Sequence, residues 1–412
     1  MLIFLTQRLV HFAQLYLSNP TNQHNWQFLE AYANAYTSCT ESTCAPVQDQ
    51  STDLIVKLIP EISKHCDKQP ILCDAIVNLI GGLTDTISEN PEPALSCFLP
   101  VIFSKFLPER KDFDPTSPVV LSSILTLKRI CREVTFGIPN HALSIVDACQ
   151  KAVGSNRIED KHTAWLMQCA GHALSVLPAE ECQKQAESLL MAQCGQLQEL
   201  CKEAEASGVS ASSKATVLRI VVNLRNLFTT IDRGVLRKMK AEMDYVENWD
   251  GISDTEPNMA ADDKTLESEW QPLLSPLGSI IPLIQNVISA FILDENIIKH
   301  ACDFFHRLAI NLDQFFGGIL TTIQPTLSMA FEFAPHSSII QVMEYTVLTH
   351  FENKAAQDLL VSVTGSMVKK FKNEGEKFLG EGSEVIIDFV GSLSTIMRKR
   401  FNVFIGILVV MF

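Results

Sequence analysis

Apolar residues recur at every third or fourth position along almost the whole chain, and the pattern breaks roughly every 15 to 25 residues. No other feature limits the possible folds so strongly. A period near 3.6 gathers the apolar residues of each segment on one helical face. A half-buried strand needs strict alternation, and that is almost absent. Between Val119 and Val134, the residues Val120, Ile124, Leu127, Ile130 and Val134 form the apolar line. Lys128, Arg129 and Arg132 fall mostly off it. Two breaks carry helix-start chemistry: Asp114-Pro115-Thr116-Ser117-Pro118 and Leu177-Pro178-Ala179-Glu180-Glu181. Proline suits a first turn, whose N–H groups lack partners, and carboxylates there meet the positive end of the helix dipole. Counted in this way, the chain holds about 15 or 16 helices of similar length joined by short connections.

At 412 residues the chain exceeds what one hydrophobic core usually supports, so it forms several domains or an elongated array. Apolar residues make up 47% and charged residues 19%, which excludes disorder over most of the length. A weak internal repeat favours the array. Four helices carry an apolar-x-Pro-x-apolar pattern, centred on Pro60, Pro100, Pro282 and Pro325. The first two lie 40 positions apart and the last two 43. Interior proline costs a helix about 3 kcal/mol, so its recurrence needs a reason. The first helix of a HEAT pair tolerates such a kink. The expected fold is therefore all-α: a right-handed α-α superhelix of the ARM/HEAT solenoid type with about eight helix pairs.

Its parts are expected to be helical repeats over 1–233, an acidic insertion over 234–270, more repeats over 271–400, and an apolar tail over 401–412. The insertion holds ten carboxylates, among them Asp250, Asp254, Glu256, Asp262 and Asp263, with Lys264 the lone base after Lys240. It reads either as a solvated linker or as a mobile acidic arm for basic protein partners. The net charge of −14 disfavours nucleic acid, whose phosphates require Lys and Arg, and suits basic proteins.

Cys131, Cys149, Cys169, Cys182, Cys194 and Cys201 sit within apolar helical patterns, and no CxxC pair occurs. This fits free thiols in a reducing compartment, cytosol or nucleus. No run reaches the roughly 18 apolar residues that a membrane span needs, so no membrane partner is expected. The start lacks the basic region of a signal peptide. Phe401–Phe412 is too short to anchor and departs from the repeat pattern, as a non-native end would.

Chemistry is sparse. Phosphate-loop, dinucleotide, HExxH and GxSxG motifs are missing, and neither an enzyme nor a cofactor is expected. Cys169/His172 and Cys302/His306 could each place two ligands on one helical face, but as pairs without a second pair they read as core and flank positions. Gly317-Gly318, Glu374-Gly375 and Glu381-Gly382 read as turn or packing glycines, and Glu344 and Glu352 as lone carboxylates. The basic clusters Arg237-Lys238-Lys240, Lys369-Lys370-Lys372 and Arg398-Lys399-Arg400 read as solvated helix ends near the negative dipole. Phe304, Phe305, Phe315, Phe316, Phe331 and Phe333 should mostly be core, with one or two free to face a groove.

Two stretches carry a resemblance. Ser122–Glu133 and Asn226–Asp232 are similar to segments of the importin-13/transportin-SR type of karyopherin, in the importin-β superfamily. Weaker agreement at Asn25–Ala31 and Trp165–Gln168 extends it, in register, from near Gln7 to about Arg400. The resemblance implies a receptor that shuttles between cytoplasm and nucleus, carries protein cargo, and acts as a monomer with the GTPase Ran and Phe-Gly nucleoporins. Family members are more than twice as long, and their main Ran-binding surface lies in amino-terminal repeats absent from this sequence. The alternative is a HEAT-repeat scaffold that holds protein complexes without Ran control.

Overall fold

The computed structural model describes residues 2–41, 50–89, 91–107, 113–208, 210–247, 263–312 and 315–401. The chain divides into two compact units, Met1–Pro178 and Ala179–Phe412. The boundary falls at the second of the two proline breaks.

The first unit contains α1 (Leu2–Ser18), α2 (Gln23–Glu41), α3 (Gln50–His65), α4 (Pro70–Gly82), the short α5 (Thr84–Glu89), α6 (Pro91–Phe106), α7 (Pro118–Glu133), α8 (Ala142–Gly154) and α9 (Asp160–Val176). These helices alternate between two layers. In the first layer α1 packs on α3 and α3 on α6; in the second, α2 packs on α4, α4 on α7 and α7 on α9. The pairs are α1/α2, α3/α4, α6/α7 and α8/α9.

The second unit repeats the arrangement. It contains α10 (Ala179–Ser207), α11 (Ala211–Thr230), α12 (Val235–Glu247), α13 (Asp263–Ala290), α14 (Glu295–Leu312), α15 (Phe316–Phe333), α16 (Ser337–Thr349), α17 (Lys354–Glu374), the short α18 (Glu376–Glu381) and α19 (Ser383–Lys399). Its first layer runs α10, α13, α15, α17, and its second α11, α14, α16, α19, each helix packing on the next. The all-α, HEAT-like reading holds: the first unit has four packed pairs, and the second pairs α10 with α11 and α13 with α14. The described residues hold 19 helices, more than expected, because α5 and α18 are six-residue segments too short to show a period and α12 lies inside the expected insertion.

Local chemistry explains the elements. In α7 the predicted line Val120, Ile124, Leu127 and Ile130 is fully or almost fully buried, and Val134 just beyond it is 1% exposed. Pro118 opens that helix, and Asp114 accepts hydrogen bonds from the Thr116 N–H and hydroxyl just before it. Glu180 and Glu181 occupy the first turn of α10. All four repeat prolines lie inside first-layer helices: Pro60 in α3, Pro100 in α6, Pro282 in α13 and Pro325 in α15. Pro60 is half-buried and the other three are exposed. On the outer side water can satisfy the carbonyl that proline frees, which lowers the cost of the kink.

Three findings differ from expectation. First, helices occupy both flanks of the expected insertion. Met239 of α12 and Trp270 of α13 are buried, and Arg237 Nε donates to Glu269 Oε1 at 2.8 Å. Second, Ser268–Ala290 within α13 is long and apolar enough to cross a membrane. Its Leu273, Leu277, Ile280, Ile284, Val287 and Ile288 are instead spent on helix packing, and three prolines interrupt it. Third, Arg237-Lys238-Lys240 is not a helix end. It lies in the first half of α12, where Arg237 pairs with Glu269 and Lys238 with Asp232. Lys372 and Arg398-Lys399 do sit in last turns, those of α17 and α19. The expected tail beyond Phe401 lies outside the described residues.

Candidate protein-binding surfaces

Among the described residues most apolar side chains pack on neighbouring helices, while Ile3, Phe4, Phe28, Ile387 and Val390 are exposed, so the exposed faces and the seams between adjacent helices are the candidate surfaces. The second-layer seams are bridged by polar side chains. In the first unit a cleft runs over α2, α4 and α7, lined by Asn34, Thr37, Ser38, Asn78, Leu125 and Arg129. Its floor is tight because Gly81 and Gly82 of α4 face Thr126 on one side and Thr37 and Thr40 on the other. The Thr126 hydroxyl donates to the Val77 carbonyl across the seam at 3.2 Å.

The next seam, α7 to α9, is basic and aromatic. The Lys128 ammonium lies 5.8 Å from the Trp165 ring centroid, within cation–π range. Arg129 reaches Glu133 at 2.8 Å. His172 lies half-buried beneath; burial, and after it the charges of Arg132 and Lys128, push its imidazole down to about 4. This ring is therefore neutral near pH 7 and offers a hydrogen bond without charge.

Seams in the second unit use the same device. Arg225 of α11 donates to His300 Nδ1 at 2.8 Å and to Asp303 Oδ2 at 3.2 Å on α14. His306 packs edge-on against Tyr345 of α16, their centroids 4.7 Å apart. Glu344 is no lone carboxylate, since it accepts a hydrogen bond from the Ser392 hydroxyl of α19. Asn311 of α14 donates to the Phe228 and Ile231 carbonyls at the end of α11. These contacts position and bind. They set no nucleophile beside a base, as acid–base or covalent chemistry would require.

The acidic candidates are harder to place. Asp250, Asp254, Glu256 and Asp262 lie outside the described residues. Asp263 is the first residue of α13, and nothing is described of its side chain. Glu269 is held internally by Arg237, while Arg233 Nε donates to its carbonyl at 3.1 Å. The paired Cys/His positions behave as core and flank. Cys169 and Cys302 are at most 1% exposed, and Cys169 faces Cys131. Of the phenylalanines, Phe304, Phe305, Phe316 and Phe331 are buried, Phe315 is half-buried and Phe333 is 63% exposed. The Gly317 carbonyl accepts from Asn353, and Gly375 ends α17 at φ +52°, so both are packing or turn glycines. Nothing in the sequence marked the basic seam as a surface. Its residues read only as the gaps in an apolar line.

No protein-family model matches the chain. Importin-13 of Gallus gallus is 24% identical over 395 residues, which is 94% of this chain and 37% of that protein. The Mus musculus and Homo sapiens importin-13 proteins are 25% and 24% identical, with the same coverage. A solved structure of importin-13 in its cytosolic state superposes with a TM-score of 0.76 at 17% identity, covering 98% of this chain and 41% of the other. The likeness to importin-13-type karyopherins read from the sequence therefore holds over nearly the whole chain, and the fold is that of an importin-13 repeat segment. The chain spans little more than a third of the length of the curated relatives it matches.

Proposed function

We propose that this chain is a cargo-contacting repeat segment of a nuclear transport receptor of the importin-13 type, working by reversible protein binding and not by catalysis. The observation that carries this reading is the match to importin-13 over 94% of the chain in sequence, together with the layered helix packing within each unit. Because each pair touches only its neighbours, small rotations can add along such a stack and let it adapt to a folded partner. Protein cargo with basic surfaces is the expected partner, drawn by the −14 net charge and by the carboxylates of the 242–269 stretch. Ran and Phe-Gly nucleoporins, and shuttling between cytoplasm and nucleus, belong to the same proposal.

Two measurements test it. In the first, the chain is captured with a basic folded protein at low and high salt, with and without GTP-loaded Ran. Salt-sensitive binding supports the cargo-contact reading, release or reinforcement by Ran-GTP adds receptor gating to it, and no binding at low salt overturns it. In the second, Asp250→Asn, Asp254→Asn, Glu256→Gln, Asp262→Asn and Asp263→Asn are combined. The combined variant should bind basic cargo several-fold more weakly and with a flatter salt dependence. Unchanged affinity at low salt would rule out the acidic stretch as a contact.

A further inference from the structure

Where α3 ends and α4 begins, three helices bring together four groups that the proposed function leaves unused. Cys66 lies in a single 3-10 turn, Cys66–Lys68, and Cys73 in the first turns of α4. Both are buried, at 0% and 3% exposure. Their sulfurs and an Asp67 carboxylate oxygen all lie within 4.8 Å of one another. From α6, the Lys105 side chain, itself only 4% exposed, places its ammonium 2.7 Å from Asp67 Oδ1 and lines the same cleft as Cys73. A buried ammonium already seated against the carboxylate and a thiol leaves no reason for the trio to attract a cation. Burial works against that ammonium, but the Cys73 sulfur and Asp67 outweigh it and hold it above its ordinary range.

The same arrangement divides the two sulfurs. The Cys66 thiol donates to the Ser63 carbonyl at 3.6 Å. Its sulfur beside Cys73, together with Lys105, holds the Cys73 thiol below its ordinary range against the opposing effect of burial. Cys66 moves the other way, as do Cys131, Cys149, Cys201 and Cys302. Thiolate character alone would mean little without access. Cys73, however, lines a partly open cleft with Asp67, Pro70, Lys105, Phe113 and Val120. The cleft gives a small reagent such as a peroxide a path to the Cys73 sulfur.

We propose that Cys66 and Cys73 form a peroxide-reactive dithiol, with Cys73 as the attacking sulfur and Cys66 as the resolving one. The Cys73 thiolate attacks one oxygen of hydrogen peroxide and the O–O bond breaks. The departing hydroxide takes a proton from solvent or Lys105 and leaves as water, giving a sulfenic acid on Cys73. The Cys66 sulfur then attacks the Cys73 sulfur. Its proton goes to the sulfenic oxygen, a second water leaves, and the disulfide forms. Two thiols are oxidised by two electrons in total and one peroxide is reduced to two waters. A dithiol reductant reverses it. Cys66 sits on one short 3-10 turn, so bringing its sulfur to bonding distance asks little of the helices on either side.

The test uses the full chain, reduced and desalted, then exposed to hydrogen peroxide near neutral pH with time points alkylated and mapped by mass spectrometry. The expected result is a Cys66–Cys73 cross-linked peptide that forms before Cys39 or Cys97 is modified, although both of these are more exposed. Cys66→Ser should accumulate a sulfenic acid at Cys73 that dimedone captures. Lys105→Met should slow the reaction measurably, since loss of the ammonium raises the Cys73 thiol and lowers its thiolate fraction. Modification of Cys39 or Cys97 first, or an undiminished rate in folded Lys105→Met, overturns the proposal. If Lys105→Met does not fold, the pH profile of iodoacetamide alkylation on the unaltered protein decides. Cys73 must then half-react at a lower pH than Cys97, and the reverse order sinks the idea.

Discussion

At the scale of single residues, the most telling groups are those whose neighbours change their chemistry. His172 is neutral in the folded chain because burial and the Arg132 and Lys128 charges depress it to about 4. In the unfolded chain it titrates near 6.5. The sign follows directly. Above about pH 6.5 neither state binds the proton, and His172 has no effect on stability. As pH falls from there toward 4, the unfolded chain takes up a proton that the folded chain refuses, so stability is lost across that window, by up to about 3 kcal/mol. Urea midpoints at pH 7.5 and 5 should therefore move closer together in His172→Gln than in the unaltered protein; equal loss in both would assign the acid sensitivity elsewhere. None of this could be read from Cys169-x-x-His172 in the sequence. The helical period puts His172 on the same helix face as Cys169, but the cations above it come from α7, some forty residues earlier.

At the scale of helices, the seams depend on close approach and on side chains that satisfy a neighbour's backbone. A Cβ on Gly82 would lie 2.9 Å from Thr40 Oγ1 and 3.3 Å from Thr37 Cγ2. Gly82→Val should therefore force α2 and α4 apart and cost about 1–3 kcal/mol, as overpacking does. Chemical denaturation checks this, and an unchanged midpoint would mean that the seam is loose. Other seams rely on polar reach: Gln285 Nε2 of α13 donates to the Thr322 carbonyl of α15 at 2.9 Å, and Arg400 donates to the Leu348 carbonyl at the end of α16. The helices themselves were legible, because an apolar period and proline punctuation are local properties. So was the layer that carries the prolines, because interior proline is tolerated only where a helix has a solvent side. The partners of Gly81, Gly82, Gln285 and Asn311 were not legible, since each contact spans about forty to eighty positions and no local pattern encodes it.

At the scale of the whole molecule, each unit is a stack in which a helix touches its neighbours, and such a stack behaves as a one-dimensional array. Damage should stay local. Phe304 is fully buried in α14, its ring 5.6 Å from Phe228 of α11. Phe304→Ala should cost about 3–5 kcal/mol. In hydrogen exchange, α11, α14 and α16 should lose protection while α1 to α4 keep theirs. Uniform loss along the chain would mean one cooperative core and would break the array picture. By itself the sequence determined the helical class, the approximate repeat length and the likeness to karyopherin repeats. Periodicity, composition and short motifs are all local or additive, and they survive without knowledge of contacts. Only the tertiary structure decided where polar side chains bridge the seams, that Ser268–Ala290 is packed against neighbouring helices, and that Cys66, Asp67, Cys73 and Lys105 share one cleft. Those outcomes depend on which helices the stacking places side by side, and a helical period says which face is buried but not what lies against it.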